Sequence, residues 1–408
     1  MTTATVIRPL APSEEIFAPS AVYVGYGMRI SGRPQWAALA QAFEALVRAH
    51  PVLGAHIADT ELGHVLLESS CTTPEFTLTD GDPERLLTGA SIDQRAALGT
   101  LCAVRDGERA SITLATHHSI ADATHSLALL RELWEYYRDL VSGRPIEARP
   151  HEYPRPVEDL LEERGIEKIP NPDPVPRATI PESDQCEAAE YVLPRATRIH
   201  LTPARTAALR EVGHRAGVTI NSLVAAAVLA TESVLRELPL NELIHSYSVD
   251  LRTRLTPRVG PTEGSNVLGF TSYAPAFAQP PTLLGLARDI HHHLRAELAA
   301  GVVQQSPLHL PDIAAAGPPR IPGVVLTTNW GRIPVPPTPP GLRCTDFRST
   351  MIAKPDRTGR RPDKPDEGTC IISTFRDRLS IELHHPESTT PRHLRRAQLL
   401  ESHLLGLL

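Results

Sequence analysis

A proline-dense, charged stretch lies in the middle of this chain, and no continuous helix or central strand can run through it. It reads GRPIEARPHEYPRPVEDLLEERGIEKIPNPDPVPRATIPESDQ, residues 143–185. Proline fixes φ and removes a backbone donor, so such a run ends regular structure and acts as a connection. On both sides of it, strand-like segments are followed by amphipathic helices. At 408 residues the chain also exceeds what one ordinary core accommodates. The expectation is an α/β protein (an α+β sandwich) in two halves. The first half covers 1–145, the connection 146–190, with one short helix at Val157–Arg164, and the second half 191–408.

Periodicity fills in the halves. SAVYVGYGMRISG, GHVLLES and ERASITLATHH read as strands. Leu39, Ala42, Phe43, Leu46 and Val47 recur at helical spacing before Pro51. Leu127, Leu130, Leu133, Trp134 and Tyr137 share one face of a second helix, with Gly143 past its end. After the connection come the strand TRIHLT, the helix PARTAALREVGHRAG and the apolar helix INSLVAAAVLATESVLREL, which Asn221 or Thr219 would cap. LIHSYSVDLR and PGVVLTTNWGRI read as strands, and TCIISTFRDRLSIELHHP as a hairpin turning at Arg376–Arg378. The helices TLLGLARDIHHHLRAELAAGV and PRHLRRAQLLESHLLGLL complete the second half.

Composition excludes several classes. A net charge of −6 offers no basic footprint for nucleic acid. Five scattered cysteines without a C-x-x-C pair argue against a disulfide framework and a cysteine zinc site. The opening MTTATVIRPL lacks a charged-then-apolar pattern, and no apolar run reaches about 18 residues. A cytoplasmic protein is expected.

The chemistry concentrates in THHSIADAT, residues 116–124. Three readings compete. In a metal reading, His117 and His118 would share an ion, but adjacent residues on a strand point in opposite directions, and the HHH at 291–293 diverges on its helix. No metal is therefore expected. In a structural reading, Asp122 caps the helix that follows and the histidines are hydrogen-bonded core residues. In a catalytic reading, a strand end delivers one imidazole to a cleft between the halves as a general base, and Asp122 locks the turn that presents it.

HHSIADA resembles the HHxxxDG signature of the condensation-domain and chloramphenicol-acetyltransferase-like superfamily. IRPLAPSEEIFA, FEALVRAHPVLGAHI, HHSIADATHSLALLRELWEYY, VDLRTRLTPRVGPTEGSNVLG and LRAELAAGVVQQSPLH resemble, in order, the polyketide-associated acyltransferases of the phthiocerol/phthiodiolone dimycocerosyl transferase type. The resemblance implies two chloramphenicol-acetyltransferase-like halves with a channel between them. It implies O-acyl transfer from a coenzyme A or acyl-carrier-protein thioester to a hydroxyl of a polyketide or lipid, with no cofactor and no covalent acyl-enzyme. His118 would be the general base, with His117 its motif neighbour, and Asp122 would pair with Arg252. Ala123 replaces the signature's glycine, which narrows the expected channel if its φ is negative. The alternatives are amide-forming N-acyl transfer and a non-catalytic, partner-binding module.

Two amides and two arginines complete the candidates. Asn266 in GSNVLG and Asn329 in TTNWGRI are positioned in the sequence to line the channel, where either could donate to a developing oxyanion; each could equally be a turn asparagine. Arg288 and Arg295, seven residues apart, share a helix face that would attract an acidic carrier or coenzyme A phosphates, unless Asp289 and Glu297 pair with them. A monomer without nucleic-acid partners is expected.

Overall fold

The computed structural model describes residues 5–61, 63–69, 74–170, 194–277, 279, 281–312, 323–354 and 369–408. The connection beyond residue 170 lies outside them. Two large sheets organise the molecule, one per half, each backed by helices.

The first sheet has five strands in the spatial order Arg343–Ile352, Tyr23–Ser31, Arg109–His117, Gly99–Asp106, Phe76–Asp80. All neighbours are antiparallel except the last pair. The strand Arg109–His117 is central, and only Arg109 in it is exposed. Helices Trp36–Ala49 and Ala123–Val141 cover the sheet, and Phe43, Leu46, Leu130 and Trp134 meet Ile112 and Leu114 in one core. Both helices follow the apolar spacing in the sequence, because a stripe at 3.6-residue period can bury only one face. A small sheet of Val6–Pro9, Gly63–Leu67 and His56–Thr60 lies beside it.

The second sheet has six strands in the order Leu268–Tyr273, Ile244–Asp250, Val324–Arg332, Thr369–Phe375, Arg378–His385, Arg195–His200. Helix Ile220–Arg236 is its central helical support, buried from Ser222 to Leu229. Thr219, not Asn221, caps it: the Thr219 hydroxyl accepts from the Ser222 N–H at 3.2 Å. The hairpin turns at Arg376 and Asp377, with φ of 48° and 59°. Two successive positive φ values match the twist of a tight hairpin.

One feature corrects the simple division at residue 191. Strand Arg343–Ile352 belongs by sequence to the second half, yet it pairs along its length with Tyr23–Ser31 in the first sheet. Segment periodicity describes which face of a strand is buried, not which sheet it joins. The helix in the connection, Val157–Glu162, packs through Val157, Leu160 and Leu161 against Leu251, Leu255 and Val267 of the second half. The sequence pattern leaves six strands undetected, Val6–Pro9, His56–Thr60, Phe76–Asp80, Gly99–Asp106, Leu268–Tyr273 and Arg343–Ile352: four of them span six residues or fewer, and Gly99–Asp106 is buried on both faces over its first six residues. Among the described residues no single helix is long and apolar enough to cross a membrane.

Candidate active site

The central strand ends at His117, opposite Tyr23, and the chain then turns into helix Ala123–Val141. Strand alternation sends the two histidines apart. His117 is fully buried: its Nε2 lies 2.9 Å from Gln94 Oε1, and its Nδ1 accepts from the Ser119 N–H at 3.2 Å. Both nitrogens are engaged, and burial, with help from His118, pushes its pKa down to about 3. His117 is a neutral structural imidazole.

His118 is the partly exposed one. Its backbone N–H donates to Val22 O at 2.8 Å. Its ring lies flat on Phe17, with centroids 3.9 Å apart and 2° between planes. Its Nδ1 is 3.0 Å from Asn266 Oδ1. Asn266 Nδ2 donates to the His118 carbonyl at 2.7 Å and leans toward the Ser119 carbonyl at 3.5 Å. That orientation leaves only the amide oxygen to face the ring, so Nδ1 carries the proton and Nε2 keeps its lone pair. Burial lowers the His118 pKa, partly offset by its own carbonyl, Asp122 and Asn266. The ring is therefore neutral at pH 7.

Asp122 is completely buried and does two jobs. Its Oδ1 accepts from the His125 N–H at 3.0 Å, the helix cap. Its Oδ2 accepts from Arg252 Nη1 at 2.8 Å and from the Val267 N–H at 2.9 Å. The Asp122 N–H donates to Ser265 O at 2.9 Å. The capping reading and the ion-pair reading are thus both realised, one on each carboxylate oxygen. Arg252 is 4% exposed and also touches Asp250 Oδ1 at 3.3 Å. Thr124 donates to Asp250 at 2.8 Å, and His125 Nδ1 to the Gly264 carbonyl at 3.0 Å. Residues 250–267 of the second half therefore grip the motif turn from one side.

Ala123 opens the helix and is not among the residues of positive φ. The departure from glycine needs no left-handed backbone.

The structure reassigns the two amides. Both hydrogens of Asn266 face backbone carbonyls, so it orients His118 instead of offering a donor to an oxyanion. Asn329 stays away from this cluster: it is exposed, donates to Asn221 Oδ1 and accepts from the Gly331 N–H, each at 2.8 Å. It is an exposed strand residue of Val324–Arg332, at the start of a register shift.

On helix Leu283–Ala299, Arg288 and Arg295 are exposed, and the carboxylates expected to neutralise them turn elsewhere. Asp289 accepts from the Tyr273 hydroxyl at 2.5 Å, and Glu297 takes Thr271 and His293. His291 has its pKa lowered by partial burial and by Arg295, so the positive charge of this face at pH 7 comes from the arginines.

Metal-type donors converge at another place. His50, Glu132 and His151 bring donor atoms within 4.8 Å of one another. The two rings are parallel, 4.5 Å apart and 6° between planes, so their lone pairs lie in separate planes. His50 Nε2 is already 2.8 Å from Glu132, whose other oxygen accepts from Tyr136 at 2.5 Å. The group is satisfied as a hydrogen-bonded cluster and is poorly shaped to share one ion.

Sequence reasoning passed over Phe17, Ser265 and His125. His125 had a signal, since it stands at the third helical position after a capping aspartate. Phe17 and Ser265 had none, because their roles arise from contacts across 101 and 251 residues of chain.

Comparisons with known proteins identify the family. A family signature described as "Phthiocerol/phthiodiolone dimycocerosyl transferase C-terminus" matches residues 190–384. The phthiocerol/phthiodiolone dimycocerosyl transferase of Mycobacterium ulcerans (strain Agy99) is 33% identical over 394 residues, 93% of this chain and 92% of that protein. The structure of polyketide synthase associated protein 5 from Mycobacterium tuberculosis is similar over 98% of both chains, at TM-score 0.81 and 30% identity. The first condensation domain of the calcium-dependent antibiotic synthetase shares the fold at TM-score 0.65 and 15% identity, over 98% of this chain and 97% of that one. With such likeness over nearly its whole length, the chain belongs to the phthiocerol/phthiodiolone dimycocerosyl transferase family, polyketide-associated acyltransferases with the condensation-domain and chloramphenicol-acetyltransferase-like fold.

Proposed function

We propose that this acyltransferase moves an acyl group from a coenzyme A or carrier-protein thioester to a hydroxyl of a polyketide or lipid, with His118 Nε2 as general base. The observation that carries the reading is the Asn266 contact at Nδ1, which leaves the opposite nitrogen of a neutral imidazole as the acceptor. In the reaction, Nε2 takes the proton of the acceptor hydroxyl as its oxygen bonds to the thioester carbonyl carbon. The C–S bond then breaks, and the imidazolium returns the proton to the thiolate. An ester and a free thiol result. A covalent acyl-enzyme finds no support in the adjacent serine, because Ser119 Oγ donates to the Glu14 carbonyl at 2.7 Å. Relatives named as dimycocerosyl transferases of phthiocerol favour an alcohol over an amine acceptor.

The test is mass spectrometry with a panel of acyl thioesters against alcohols and amines. Ester with stoichiometric free thiol is expected, and its dependence on His118 is checked with His118→Ala. Amide products would replace this reading with N-acyl transfer, and no turnover with any pair would favour a binding module.

For the donor, the exposed Arg288 and Arg295, which pair with no carboxylate among the described residues, support docking of an acidic carrier protein, although Arg288 Nε also donates to the Ala216 carbonyl at 3.4 Å. Arg295→Glu should raise KM for a carrier-bound donor several-fold, more so at low salt, and leave a short free thioester unaffected. Equal effects on both donors would remove this helix from docking.

A further inference from the structure

The base is framed by a part of the molecule to which the motif gives no role. Residues 11–22 follow strand Val6–Pro9 of the small sheet, pass through helix Pro12–Glu15 and enter the first sheet at Tyr23. Phe17 sits at the inner edge of this strap, flat against His118. The backbone ties both residues to one point: the Val22 N–H donates to Phe17 O at 3.1 Å, and Val22 O accepts from the His118 N–H at 2.8 Å.

The strap is anchored on every side. Glu14, fully buried, accepts from Arg8 at 2.5 and 2.8 Å, from Ser265 Oγ at 2.6 Å and from the Ala11 N–H at 3.0 Å. The Glu14 carbonyl accepts from Ser119 Oγ, directly after the base. Ser13 donates twice to Glu158 of the connection helix, each time at 2.8 Å. Arg8 also reaches the Pro154 carbonyl at 3.0 Å. The first half, the connection and the second half thus all hold the segment that carries Phe17. Such anchoring exceeds what a surface turn needs, and a rigid support is what a base requires to stay aimed.

We propose that Phe17 is a positioning residue: its ring confines the His118 imidazole to one plane and keeps water from one face, so that Nε2 stays unprotonated and aimed at the acceptor hydroxyl. The proposal rests on His118 being the base. Asn266 fixes the ring's tautomer and one edge, and Phe17 fixes its plane. Neither contact alone restrains both degrees of freedom, because a single hydrogen bond at Nδ1 lets the ring tip about that bond. The depressed pKa of His118, caused first by burial, agrees with a ring covered on one face.

Two measurements on the full chain test this. The first is histidine 15N–13C NMR titration of the substrate-free protein, with the His118 signal assigned by its loss in His118→Asn. Wild type is expected to show a protonated Nδ1 and a pKa below 6.5. Phe17→Ala should move that pKa upward and mix the tautomers, and Phe17→Tyr should restore both. Phe17→Leu fills the volume without a flat face, so it separates planarity from simple packing and serves if the alanine variant folds poorly; it should recover the pKa better than the tautomer ratio. The second is steady-state kinetics with octanoyl-coenzyme A and a long-chain alcohol as probes. Phe17→Ala should lower kcat about tenfold with KM for the thioester within twofold, and the acid limb of the pH profile should follow the NMR pKa. An unchanged or lowered pKa with unchanged tautomer in Phe17→Ala would overturn the role of Phe17 and leave the base standing. A protonated Nε2 in wild type would overturn the base itself.

Discussion

The two halves of this protein meet along two buried polar seams, and only one of them adjoins a partly exposed imidazole. At the motif seam a single carboxylate, Asp122, binds Arg252 and two backbone N–H groups, and a partly exposed imidazole stands beside it. At the other seam, strand Arg343–Ile352 crosses into the first sheet and carries Arg348 onto Glu382 at 2.5 Å and Asp346 onto Arg198 at 2.9 Å. Burial pushes the Glu382 pKa up, but Arg348, His384 and Arg198 outweigh it and hold the carboxyl low. Ser349 Oγ there lies 2.9 Å from His384 Nε2 and 2.7 Å from Glu382. By residue type this second cluster has the parts of a nucleophile triad. Its carboxylate binds the serine instead of orienting the histidine, however, and all three residues are 5% exposed or less. Residue types do not make a site; a free lone pair with access to substrate does.

The comparison breaks first at the histidines. His118→Ala should reduce acyl transfer by about 10²–10⁴, while Ser349→Ala should leave kcat per folded molecule within about twofold. Thiol release with the thioester panel measures both. A large loss in Ser349→Ala would place chemistry at the wrong seam.

Stability should separate carboxylate from base. Asp122→Ala leaves Arg252 buried without its main partner, at a cost of about 3–5 kcal/mol. Its melting temperature should therefore fall well below that of His118→Ala. A stable but inactive Asp122→Ala protein would assign the carboxylate a chemical role.

Asn266→Ala should produce a smaller effect, on the order of 1–3 kcal/mol in kcat/KM from the lost orienting bond. Addition of oxyanion analogues should not discriminate it from wild type, since Asn266 aims its hydrogens at carbonyls. A selective loss of analogue affinity would return it to the oxyanion role.

Acid should weaken both seams and the second sheet together. Burial pushes His117 down to about 3, and His125, His245 and His384 down to about 4. The unfolded chain protonates these groups near 6.5, before the folded one does. Their contribution is therefore complete above about pH 6.5 and falls as pH drops toward 4, by about 1.4 kcal/mol per group per pH unit. Calorimetry should show a melting temperature that declines from pH 7 to 5. A flat profile would mean that these rings find water or partners when charged.

Local pattern determined much of this protein. Helix Ala123–Val141 and its Asp122 cap follow from a polar N-cap and an apolar stripe, and the Arg376–Asp377 hairpin from two alternating runs. His117 and His118 had to diverge, because strand geometry alternates side chains whatever surrounds them. Tertiary structure decided the rest. It alone brought Asn266 to Nδ1 and so chose which nitrogen of His118 is free. It placed Asn329, in an equally promising NWG context, on the exposed side of strand Val324–Arg332 at a register shift. It placed Phe17 on the His118 ring and carried strand Arg343–Ile352 across to the other half. The physical reason is one of range. Period and capping are set by backbone geometry within a few residues, whereas the tautomer, plane and burial of a side chain depend on whatever distant chain packs against it, and no local pattern specifies that partner.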